Sequence, residues 1–117
     1  MTREETLIQI EKELATANGA LALRNEGMMR VCARRAAGIA IAFWLQQNRD
    51  RSWGTDAMNR LRHVQMDDSF SDDVREAAMR LTTKVTNQFQ SPFPTDPIAD
   101  CRKIIDHFLS KTNREKP

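Results

Sequence analysis

Apolar residues recur at helical spacing along nearly the whole chain, and no stretch alternates with the period of a strand. The first stripe is Leu7, Ile10, Leu14, Ala17 and Leu21, behind a capping box formed by Thr2 and Glu5. Asn25-Glu26-Gly27 breaks this stripe, and a second helix follows from Met28 to Gln47. Asn48 to Gly54 reads as a loop, in which Trp53 either anchors over the bundle end or stands out for a partner. Thr55 or Asp56 caps a short third helix with the stripe Ala57, Leu61, Val64. After a turn at Met66 to Phe70, Ser71 opens a fourth helix, whose Asp72 and Asp73 suit the positive helix end. Its stripe is Val74, Ala77, Ala78, Leu81 and Val85, with Phe89 just beyond. Ser91 to Thr95 contains two prolines and cannot be helical. Asp96 caps the last helix with Pro97 at its first position, and the final stripe is Ile98, Cys101, Ile105, Phe108, Leu109. The pattern predicts an all-α, up-and-down four-helix bundle with an additional short helix. One domain is expected over residues 1–111, with a frayed, charged tail at 112–117.

The second helix makes the strongest demand. Met28, Val31, Cys32, Ile39, Ala42 and Phe43 share one face, with Arg35 near its centre. Arg30 and Arg34 fall on the other side with Ala37, Ile41 and Trp44. The second half of the helix is apolar all round, which calls for burial on both sides. A four-helix monomer has no layer to cover both, so Ile41, Trp44 and Leu45 are expected to meet a second copy. Alanines and Gly38 along this helix let neighbours approach closely. Arg35 either snorkels or pairs with a carboxylate, or else binds an anion in a cleft. Burial without a partner is too costly in either case. Arg30, Arg34 and Arg35 are therefore the candidate anion- or nucleotide-binding residues.

Charge adds a direction. The net charge is only +2, but Ala20 to His63 holds eight arginines against three acids, and Val64 to Asp100 holds seven acids against three bases. Such a division suits an anionic partner, like subunits pairing basic to acidic, or simply solvated faces. Cys32 and Cys101 both sit at apolar helical positions, as buried free thiols do. With no disulfide framework, no CxxC and no signal peptide, the expected compartment is a reducing cytoplasm. The longest apolar run, Ala36 to Leu45, is ten residues and too short for a bilayer.

Catalytic signals are sparse. The chain has two histidines, no tyrosine, no metal-ligand spacing and no glycine-rich phosphate loop, so neither a metal nor a cofactor is expected. Arg102 and His107 have four residues between them, a pair able to hold a phosphate and move a proton at an RNA 2′-hydroxyl. On a continuous helix their directions differ by about 140° and their heights by about 7.5 Å. His107 falls opposite the apolar stripe, so a solvent-facing histidine is the competing reading.

The order of features resembles the HEPN superfamily of small helical-bundle domains. A first helix ends near AlaAsnGlyAlaLeuAlaLeu (17 to 23), and an Asn-Glu-Gly turn follows. The second helix carries CysAlaArgArgAlaAlaGlyIleAlaIle (32 to 41), similar to a family block in which glutamines stand at Arg34 and Arg35 and a glutamate at Gly38. A proline loop at 91 to 97 then leads to a closing helix through Arg102 and Phe108. The resemblance spans residues 5 to 110. It implies a homodimer acting near nucleotides or RNA, with a nucleotidyltransferase or an antitoxin as a possible partner. Some such domains are metal-independent ribonucleases using an arginine–histidine pair. Here Lys103 follows the arginine, where the nucleases carry Asn, Asp or His. Three readings follow: a non-catalytic homodimeric module binding a nucleotide, RNA or protein; a toxin-type ribonuclease; or a purely structural assembly protein.

Overall fold

Each helix begins where a side chain can satisfy its first amides. In the computed structural model, which describes residues 1–83 and 96–113, Thr2 accepts from the Glu5 N–H at 3.1 Å. Thr2 N–H in turn donates to the Glu5 carboxylate at 2.8 Å, completing the capping box of α1 (Arg3–Ala22). The Asn25 side chain caps α2 (Glu26–Gln46), so that helix starts two residues earlier than the Asn-Glu-Gly break suggests, and Gly27 lies in its first turn. Between the two, Arg24 turns the chain with φ 58°, a left-handed conformation that a residue with a side chain adopts at a cost. Asp56 caps α3 (Ala57–Met66), Ser71 caps α4 (Asp72–Thr82), and Asp96 accepts from the Ala99 N–H at the start of α5 (Pro97–Asn113).

The described residues are all-α, with no strand among them. Among the described residues three helices are long and two short, whereas the pattern predicts four long and one short. α4 stops after 11 residues. Thr82 and Thr83 turn their hydroxyls back onto carbonyls of Ala78 and Met79, a habit that competes with continuing the helix. Val85, Phe89 and the proline segment at Ser91 to Thr95 lie outside the described residues.

α2 is the axis and touches all four other helices. Its buried side is only in part the predicted one. Cys32 and Phe43 of the predicted face are buried, and the second half is covered on its other side too, by way of Ala33, Ala36, Ala37, Ala40, Ile41 and Trp44, while Met28 and Arg35 are exposed and Val31, Ile39 and Ala42 only half-buried. Close helix packing favours small side chains over bulky ones. The alanine side brings neighbouring backbones near, and the side carrying Met28, Val31 and Arg35 faces outward. Ile41 is 0% and Trp44 3% exposed within a single chain, so the predicted dimer surface of Ile41, Trp44 and Leu45 is corrected. α3, α5 and the loop carrying Trp53 supply the cover that a four-helix ring would lack, and Leu45 packs half-buried against the same core.

Gly38 marks the tightest approach. A Cβ added there would lie 2.7 Å from Ala57 Cβ and 3.1 Å from Ala57 Cα. The small residue thus seats α3 against α2 and, through Asp56, fixes where the preceding loop ends. Gly38→Ala is expected to cost about 1–3 kcal/mol through overpacking. Urea denaturation reads this as a lower midpoint. An unchanged midpoint would mean that the two helices separate freely.

Candidate functional site

The two arginines expected to hold an anion hold a helix end instead. Arg30 Nη2 donates to the carbonyls of Arg80 and Thr83, each at 3.0 Å, and Arg34 Nη1 donates to Leu81 O at 3.2 Å. These carbonyls lie in the last turn and cap of α4, where the helix leaves acceptors over, and the Arg80 carbonyl also takes the Thr83 N–H at 3.3 Å. They are also its negative end, where cations are favoured. Arg30 is buried at 6% exposure. Burial, and next the neighbouring Arg30 charge, push the Arg34 guanidinium below the usual arginine range. An anion approaching here would meet carbonyl oxygens. On α4 itself, Arg80 reaches the other way to Asp100 on α5, with Nη2 to Oδ1 at 2.9 Å and Nε to Oδ2 at 3.0 Å. Hydrogen bonds to Asp100 are the main reason Arg80 holds its proton above the ordinary range.

The same arrangement recurs. Arg75 Nε donates to Gln65 O at 3.0 Å at the end of α3, and Arg3 Nη1 donates to Leu109 O at 3.2 Å toward the end of α5. Arg35, expected on the core face to snorkel, to pair with a carboxylate or to hold an anion in a cleft, is exposed, and neither an ion pair nor a cleft is found at it among the described residues. The periodicity of α2 placed it on the wrong face, as it did Met28.

Arg102 and His107 are not brought together within the chain. α5 runs without interruption through both, so their directions stay about 140° apart. Arg102 is exposed. His107 is half-buried, not solvent-facing as its position on the helix suggests. Its ring lies edge-on to Phe70 at 5.5 Å and against Phe108 at 5.0 Å. Among the described residues no group of His, Cys, Asp and Glu is arranged to hold a metal ion.

An aromatic centre escaped the sequence reading. Trp44 from α2 sits 5.4 Å from Trp53, 5.9 Å from Phe70 and 5.2 Å from Phe108. Trp53 is 6% exposed, which settles its alternatives in favour of the anchor. His63 stacks flat on it, at 5.4 Å and 3°. The Arg51 guanidinium carbon lies 5.3 Å from the Trp44 ring centre and 5.8 Å from that of Trp53. Its Nη1 pairs with Asp67 Oδ2 at 3.1 Å. Two hydrogen bonds from Ser69 hold the Asp67 carboxyl below its usual range, and Arg51 adds to the effect. The only signal in the sequence is an arginine two residues before a loop tryptophan.

Both cysteines are buried. Burial pushes Cys32 up, with the nearby Glu13 charge adding to it, and pushes Cys101 up to about 12. Neither thiol is expected to react with a thiol-specific reagent in the folded protein at neutral pH, whereas both react in denaturant. Fast labelling of either in the native state would contradict this packing.

The described residues also line open surface grooves. One, of about 310 Å³, is lined by Gln65, Asp72, Arg75, Glu76 and Met79 between α3 and α4. Another, of about 480 Å³, is lined by Met1, Glu5, Ile8, Gln9 and Lys12 along α1. No described helix is long and apolar enough to cross a membrane. Compared with family models, curated proteins and solved structures, the chain matches none.

Proposed function

We propose that this chain is a non-catalytic, HEPN-like helical module that works by binding a protein partner, a second copy of itself first, through α1 and the α1–α2 corner. The observation that carries this reading is where large apolar side chains are left in water. Among the described residues seven are exposed, and five of them (Met1, Ile8, Leu21, Leu23 and Met28) lie within the first 28 positions. Leu21 continues the buried stripe of Ile10, Leu14 and Ala17 one turn further, yet is 49% exposed. The apolar side of α1 thus runs past its intramolecular cover, which marks an association surface.

A capped first helix, an alanine-rich second helix at the centre and a proline-started closing helix support the HEPN-like reading. Arg30 and Arg34 are committed to α4, and this favours a protein partner over a nucleotide or RNA. The test is sedimentation of the wild type and of the Leu21→Glu/Leu23→Glu variant over a range of concentrations. Wild-type association that the double variant loses, with an unchanged circular dichroism spectrum, is the expected result. A wild-type chain that stays monomeric at tens of micromolar would sink this reading.

A further inference from the structure

In the aromatic centre two indole rings and a carboxylate surround a cation that the chain itself supplies, Arg51. These three groups are held without help from Arg51. Trp44 is fixed on α2 among Phe70 and Phe108. Trp53 is clamped by the flat His63 ring and by Phe70 at 6.1 Å. Asp67 is oriented by Ser69, whose N–H and Oγ–H both donate to Oδ1 at 2.9 and 2.7 Å. That leaves Oδ2 to face the guanidinium. Two indole faces within cation–π range and one oriented carboxylate are what recognition of a guanidinium requires. Arg51 is the replaceable part: it lies in the loop between α2 and α3, and its side chain is 36% exposed, so it can swing into water without repacking the core.

We propose that the Trp44–Trp53–Asp67 recess is a binding site for an arginine side chain of a partner protein, kept closed by Arg51 as an internal occupant. It does not depend on the α1 surface proposed above. An incoming arginine competes with a tethered one whose effective concentration is high, so a free guanidinium compound hardly binds the wild type. A partner succeeds by adding contacts around the recess, or where Arg51 is drawn away from Asp67.

The test uses N-ethylguanidinium as probe and tryptophan fluorescence as readout on the full chain. In Arg51→Ala the emission is expected to change saturably, with a half-saturation at least tenfold below that of the wild type. Adding Asp67→Asn is expected to weaken that binding at least tenfold, and ethylammonium is expected to bind less tightly than the guanidinium probe. Equal responses in wild type and Arg51→Ala, or a linear response without saturation, would overturn the site. Circular dichroism checks that the variant is folded, and Arg51→Gln is judged by the same criteria. If both variants lose their fold, Arg51 is a staple and the recess is no binding site.

Discussion

Trp44→Ala is expected to cost about 3–5 kcal/mol, the range for removing a buried aromatic ring. The whole margin of a domain this size is about 5–15 kcal/mol, so a chain at the low end of that range is left with about 0–2 kcal/mol and is at worst about half unfolded at room temperature. The ring is 3% exposed and touches Trp53, Phe70 and Phe108. Its loss empties the point where α2, α5, the turn before α4 and the loop before α3 converge. Collapse around the void is limited, since two of the neighbours are rings fixed by contacts of their own. Urea denaturation at two protein concentrations gives the answer. A midpoint that falls sharply and does not depend on concentration fits a core residue. A variant that keeps its helices and its midpoint, and only loses association, would restore Trp44 to an interface.

Asp100→Ala is the second large effect, expected at about 3 kcal/mol, the lower end for breaking a buried ion pair. The Asp100 side chain is 6% exposed and that of Arg80 22%, so removing the carboxylate strands a guanidinium with little water to replace it. The partial exposure of Arg80 sets the choice of the lower end. Replacing both, as Arg80→Met with Asp100→Leu, is expected to recover most of the loss, because the charge and its partner leave together. Thermal or urea unfolding of the two singles and the double forms a cycle. A double variant as unstable as the sum of the singles would mean that the pair is not coupled.

Local chemistry was the legible part. Thr2, Asp56, Ser71 and Asp96 are caps whose side chains act within three residues, so the helix starts can be read without tertiary information. The sidedness of α2 was legible only in part: Cys32, Phe43 and the two-sided burial of its second half were, the outward turn of Met28 and Arg35 was not. A period of 3.6 identifies candidate faces but not which of them neighbours cover, and alanines compete poorly with methionine and valine in such a reading even though they pack closest. Arg30 and Arg34 failed for a different reason. Their acceptors are the carbonyls of Arg80, Leu81 and Thr83, some 50 positions along the chain, and main-chain acceptors leave no mark on a sequence. The Arg51–Asp67 pair needs both a loop conformation and the turn before α4, neither of which periodicity describes.

The arginines that reach across to other helices' carbonyls give the chain's basic character an unexpected meaning. Arg3, Arg30, Arg34 and Arg75 work as cross-ties, and their planar forks can span two oxygens where an ammonium is only a point charge. Part of what lifts the pI to near 8.8 is then joinery between helices. Exchanging these four for lysines would leave the charge unchanged on an electrophoresis gel and loosen joints in the frame. For this protein, chemical identity at those positions matters more than sign.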